Sequence, residues 1–166
     1  QHLATFVLQD EGQAYTYLMG SEGSGLSHLL QAACQQTALG RNAGALYLPL
    51  GELQDYPPEQ VLEGLESANL VCLDDLQLVA DKATWQEPLF NFFNRCREAN
   101  TRLVVAAHAA PDDLGVELPD LLSRLKSGVS LQMLHYQDAD QRRLLVLGIT
   151  KQSTLVDKED QEAMKK

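Results

Sequence analysis

The sequence predicts an α/β fold, a five-stranded and mostly parallel sheet sandwiched by helices. Three observations predict it. Apolar runs of strand length alternate with longer amphipathic segments. The connections between them are short and marked by Gly, Pro and Asp. One run, Leu70–Leu73, is apolar without alternation, as expected of a strand covered on both faces in a parallel sheet. With 166 residues, 45% of them hydrophobic, the chain can bury one substantial core.

The elements follow in order. Leu3, Phe6, Val7 and Leu8 read as the end of a helix closed by Asp10–Gly12. Tyr15–Met19 is the first strand, and a glycine-rich turn carries it into a helix from Ser27 to about Leu39, stopped by Gly40. Ala45–Leu48 is a second strand ended by Pro49. Pro57-Pro58 open a helix with Val61, Leu62 and Leu65 on one face. Leu70–Leu73 is the third strand. Thr84-Trp-Gln-Glu87 matches a capping box for a helix that buries Leu89, Phe90, Phe93 and Cys96, with Pro88 in its first turn. Arg102–Ala107 is the fourth strand, and Pro111–Leu114 is a turn or short helix. Pro119 starts a helix that runs to Gly128. Val129–Met133 alternates and is the fifth strand, and Asp138 to about Leu147 reads as helical. Residues 1–148 form one domain on this pattern, and 149–166 are a polar tail or linker. The chain opens on Gln1, so it reads as a piece of a longer protein.

The net charge is −10, and residues 51–81 hold eight carboxylates with no Lys or Arg. Such a surface repels nucleic acid and favours protein or small-molecule partners. Cys34, Cys72 and Cys96 sit in apolar segments without metal-ligand spacing, which predicts buried free thiols in a reducing compartment. Neither a leader nor a membrane-length apolar run is evident, so a cytoplasmic location is expected.

Gly20, Gly25 and Ser27 fit the spacing G-x-x-x-x-G-K-[ST] of a phosphate-binding loop. The spacing alone would arise by chance in roughly 10% of chains this long, so its setting between a strand and a helix carries the weight. Gly20, Gly23 and Gly25 permit backbone N–H groups to face phosphate oxygens, with Ser24 between them and His28 just inside the helix. The helix N-terminus adds its positive end. Ser27 could place its hydroxyl on Mg²⁺. Leu26 stands where the lysine belongs, so the charge that serves β- and γ-phosphates is missing. Asp74-Asp75 close a buried strand, where a first acid would orient Mg²⁺ and a second would polarise water. They equally suit a plain turn. The strand ends bring the loop, the two acids and His108 to one edge of the sheet, where open α/β folds bind ligands. His108 reads as a surface histidine, the alternative being a phosphate sensor. Arg124 reads as an exposed arginine or an i−4 partner of Asp120, the alternative being a finger offered to another molecule's nucleotide.

Taken together these segments resemble the AAA+ ATPases, with a P-loop NTPase-like core, and within them the DnaA branch. The stretches Ser27–Ala33, Asn69–Leu76 and Leu89–Arg95 carry that resemblance, while Ala45–Leu50 and Leu118–Leu125 are closer to the Hda-type regulators than to DnaA. The resemblance implies a negative regulator of DNA replication initiation that binds the polymerase sliding clamp and promotes hydrolysis of DnaA-bound ATP. It implies that Arg124 is the finger, supplied in trans. It also implies ADP or another nucleotide at the loop, with or without Mg²⁺ at Ser27 and Asp74. Leu26 predicts little intrinsic ATPase. The family's N-terminal clamp-binding peptide and its helical lid are not found in this sequence. Direct nucleic-acid and membrane partners are not expected, and a homo-dimer is compatible with the pattern. The alternatives are a non-catalytic AAA+ adaptor that docks on DnaA or another replication protein, and a weak P-loop ATPase.

Overall fold

β1 (Tyr15–Gly20) lies inside the sheet, between β4 (Arg102–Ala107) and β5 (Val129–Met133), and is parallel to both. β3 (Leu70–Asp74) pairs with β4, and β2 (Ala45–Pro49) pairs with β3, all in parallel. A short β6 (Leu144–Leu145) adds antiparallel to β5, giving the order β2-β3-β4-β1-β5-β6. The computed structural model describes residues 14–21, 25–38, 44–133 and 144–145. The expected helix end before residue 14, Gly23, Ser24, the helix stop at Gly40 and the polar tail lie outside them.

Alternation along the strands sorts the core into two layers. Val71, Leu73, Leu103, Val105 and Ala107 face α4 (Ala83–Ala99) and α5 (Pro119–Leu125), meeting Trp85, Leu89, Phe92, Leu121 and Leu125. Leu70, Cys72, Val104, Ala106 and Leu131 face α1 (Leu26–Ala38), meeting Leu26, Leu29, Leu30 and Ala33. Both faces of β3 are therefore covered, and all five of its residues are buried, as its unbroken apolar run requires. Each fully buried Leu or Phe contributes roughly 1.5–3 kcal/mol relative to exposure. Parallel strands with helices on both faces place every β-to-α turn at one edge of the sheet.

Three local expectations fail, each for a tertiary reason. The helix from Pro58 closes after one turn, α3 (Pro58–Val61), because Gly64 takes φ 74°, a left-handed conformation that ends helical winding. A separate 3₁₀ turn then covers Leu65–Ser67. The Thr84 capping box does not form, since α4 already begins at Ala83 and Lys82 holds the cap position without a side-chain bond. Gln54, just after α2 (Leu50–Leu53), fixes that start: its Oε1 accepts Lys82 Nζ at 3.0 Å and its carbonyl accepts Trp85 Nε1 at 3.3 Å. Pro88 consequently sits at the sixth helical position rather than in the first turn. At 144–145 a strand replaces the expected helix, because the open edge of β5 offers backbone partners that outweigh local preference. The rest of 138–147 lies outside the described residues.

Buried Gln86 ties α4 to α5. Its Nε2 donates to the Ala80 carbonyl at 2.9 Å, and its Oε1 accepts the N–H groups of Glu117 and Leu118 at 3.2 and 3.0 Å. α5 has no side-chain cap of its own, so a neighbouring helix serves its N-terminus. Among the described residues no helix is long and apolar enough to cross a membrane.

Candidate functional site

The carboxyl ends of β1 and β3 and the start of α1 converge on one polar cluster. Gly20 is the last residue of β1, and Gly25, at φ 93°, is the turn residue from which α1 departs. A positive φ of this size is what glycine supplies without steric cost. The Gly25 carbonyl accepts the Leu29 N–H at 3.0 Å, so the first turn of α1 is formed directly after Gly25, with the positive end of the helix there. No acidic residue lies in that first turn to oppose an anion.

Ser27 projects from α1 and donates its hydroxyl to Asp74 Oδ2 at 2.6 Å. The same oxygen accepts the Tyr47 phenol from β2 at 2.5 Å, and Asp74 Oδ1 accepts the Asp75 N–H at 2.9 Å. Asp75 itself sits in the left-handed region at φ 59°, which Asp tolerates. Asp74 is 2% exposed, a burial that a carboxylate sustains only with such donors. Burial and then the bond to Asp74 push the Tyr47 phenol above its ordinary range, so it remains a donor. A serine hydroxyl beside a carboxylate is a hard oxygen pair of the kind Mg²⁺ takes, and these two residues fit that ion.

Leu26 does not point into this cluster. It is 5% exposed and belongs to the buried cluster of Leu18, Leu30, Val104 and Ala106. The position that supplies a cation in the usual loop is therefore an apolar anchor, and the described cluster is acidic. Gly25 and the α1 amide end can still cradle phosphate oxygens, while a γ-phosphate loses its principal counter-charge. His28 is exposed on α1.

Asp75 belongs to a second group at the same edge. Its Oδ1 lies 3.8 Å from His108 Nε2 and accepts Gln77 Nε2 at 3.3 Å, while Gln77 Oε1 accepts the His108 N–H at 3.1 Å. The sequence placed His108 at this edge, and the structure sets it directly against the second acid.

Arg124 is at the opposite edge. It is the penultimate residue of α5 and lines a cavity of about 340 Å³ with Ala14, Tyr15, Thr101, Leu103 and Gly128, the amino-end residues of β1, β4 and β5. A strand of five to six residues puts roughly 17–20 Å between the two edges. Its Nε donates to Asn94 Oδ1 at 3.2 Å, and its guanidinium lies 5.7 Å from the Phe90 ring centre. Of the two plain readings, an exposed arginine or an i−4 partner of Asp120, neither describes it: Arg124 is half-buried and its contacts are these on α4. Arg124 cannot serve this chain's own loop.

Tyr47, Gln77, Asn94 and Gln86 were not legible as site residues. Tyr47 gave one usable signal, since its alternation matches that of Asp74 once β2 and β3 are paired.

Residues 2–132 match the family described as the bacterial DnaA ATPase domain. Among solved structures, the AMPPCP-bound DnaA of Aquifex aeolicus is similar at 25% identity and TM-score 0.67, over 79% of this chain and 44% of that one. Domain III of the Thermotoga maritima replication initiation protein DnaA is similar at 22% identity and TM-score 0.65, over 79% and 59%. A crystal structure of DnaI aligns at 18% identity and TM-score 0.63, over 80% and 82%. The chain thus spans about half the length of these two DnaA structures. The family match covers most of its length, and the chain belongs to the family of bacterial DnaA ATPase domains.

Proposed function

We propose that this chain is the AAA+ core of an Hda-type regulator, which acts with the sliding clamp to make DnaA hydrolyse its ATP. The observation that carries the proposal is the position of Arg124. The arginine sits at the edge remote from its own phosphate loop, beside a cavity, with its plane held by Asn94 and Phe90. A guanidinium so placed serves a nucleotide on another molecule. Its fixed charge and planar fork suit the phosphoryl oxygens on which charge develops.

At its own loop, the protein binds ADP rather than turning over ATP. Gly25 and the α1 amide end hold phosphate oxygens, Ser27 and Asp74 would hold Mg²⁺, and Leu26 leaves the γ-position without the loop lysine. Mg²⁺, when bound, would neutralise phosphate charge there. The AMPPCP in the Aquifex aeolicus relative supports a nucleotide at the equivalent place.

The test uses the full-length protein with DNA-loaded clamp and DnaA-ATP, following conversion to DnaA-ADP. Arg124→Ala should slow the conversion by about 10³-fold or more. Conversion at the parental rate refutes the finger. Complex formation between the parent protein and DnaA without faster hydrolysis would select the adaptor instead.

A further inference from the structure

We infer that Tyr47 is a positioning residue of the nucleotide site, whose phenol holds the Asp74 carboxylate in the orientation a metal-bound diphosphate requires. The inference rests on the nucleotide-binding proposal.

The register makes the contact. Tyr47 pairs with Cys72 and Pro49 pairs with Asp74, so Tyr47 stands two residues before Asp74 on the neighbouring strand and shares its face. Two residues of strand rise about 7 Å, which a tyrosine leaning along the strand direction spans. Its ring packs against the apolar layer under α1, and its hydroxyl reaches Asp74 Oδ2. The carboxylate is then held by donors from three places: Tyr47 on β2, Ser27 on α1 and the Asp75 N–H.

These donors are not equivalent. The Asp75 N–H is next in the chain and fixes Oδ1 only. Ser27 belongs to the loop, and its own oxygen is the group that would face a cation. Tyr47 alone comes from the sheet edge, and its phenol, which also meets Ser27 and Gln31 of α1, is carried by β2 rather than by the loop. Without it, the bond that keeps Oδ2 toward the loop depends on a residue that must itself adjust to the ligand. Groups that orient a ligating carboxylate tune the metal site although they never touch the metal. With Leu26 turned into the core, no lysine serves the loop from that position, and alignment of the carboxylate carries more of the diphosphate's binding.

A merely structural phenol would satisfy buried Asp74 and stabilise the fold, with no bearing on Mg²⁺. The two roles separate in the ratio of ADP affinities measured with Mg²⁺ and with a chelator. Calorimetric titration of the full chain with ADP under both conditions compares the parent, Tyr47→Phe, Asp74→Asn and the double variant. Tyr47→Phe keeps the ring and its packing. It should lower the Mg²⁺-dependent gain by about tenfold, and the double variant should show no smaller gain than Asp74→Asn alone. If Asp74→Asn does not fold, Ser27→Ala closes the same cycle. Tyr47→Phe with the parental gain, or losses that simply add in the double variant, overturns the role of Tyr47 and leaves nucleotide binding standing. A parent that binds no ADP under either condition overturns both.

Discussion

Leu26→Lys tests the central oddity of the phosphate loop, because stability and affinity should move in opposite directions. Leu26 is 5% exposed and packs with Leu18, Leu30, Val104 and Ala106. Full burial of a leucine contributes about 1.5–3 kcal/mol. A lysine at this place can leave part of its stem against the same surface while its ammonium turns toward the loop. The expected loss of stability is therefore about 2 kcal/mol, near the lower half of that range. For a chain of this length it lowers the melting temperature by roughly 4–8 °C. The same ammonium would face the diphosphate, and a hydrogen bond to a charged group adds about 1.5–3 kcal/mol. ADP should then bind about tenfold to a hundredfold more tightly. Thermal melts without ligand and calorimetric titration with ADP read the two effects separately. Leu26→Met conserves volume and should cost less than about 1.5 kcal/mol, with no gain in affinity. An unchanged melting temperature for Leu26→Lys would refute the packing of Leu26. A lower melting temperature without tighter ADP binding would refute the view that a missing charge limits the loop.

Three other predictions concern the scaffold. A Cβ on Gly128 would lie 2.3 Å from the Tyr15 carbonyl oxygen, whereas one on Gly64 would meet nothing within 4 Å. Gly128→Ala should cost about 3 kcal/mol or more, against about 1 kcal/mol for Gly64→Ala from its left-handed backbone alone; denaturant titrations showing equal losses would contradict this. Thr84→Ala should change stability by less than about 0.5 kcal/mol, because Thr84 is exposed inside α4 and caps nothing; a loss near 1 kcal/mol would restore the capping box. Burial pushes the Cys96 thiol up to about 12, and it also raises Tyr15, Tyr17 and Cys72, the last chiefly through its bond with Cys34. Between the unfolded value of about 9 and the folded value, the unfolded chain holds fewer protons, so Cys96 makes stability fall as pH rises through this window. Cys34, lowered by its bond with Cys72, acts in the opposite sense, but among the described residues the raised groups outnumber it. Melts at about pH 8 and 10.5 should show the decline, and a flat profile would exclude it.

The strands were legible because burial writes itself into short sequences. Arg102–Ala107 and Val129–Met133 have the bounds that their patterns predict. Their order was not legible, since β1 lies between β4 and β5 through pairings distant in the chain. Local helix signals misled where another segment set the boundary: Gln54 fixes the start of α4, and the conformation of Gly64 cuts the helix after Pro58. At the site, Ser27 and Asp74 were readable from loop spacing and a strand end, and they meet at 2.6 Å. Tyr47 was hidden because its role depends on register between two strands. The resemblance singled out Arg124 as a finger; only the fold shows it at the edge remote from the loop.

Gln86 gives the helix that carries Arg124 an exchange clock. The amides of Glu117 and Leu118 precede α5 in a partly exposed segment, yet both are held by a side-chain oxygen that is itself buried. They swap hydrogen with solvent only after Gln86 releases them, and Gln86 is packed between α4 and the start of α5. These two positions are thus coupled to the opening of the helix pair, rather than to the fraying of a loop. The arginine at the far end of α5 inherits that persistence. The helix that carries it is anchored in the layer around Trp85, Leu89 and Leu121.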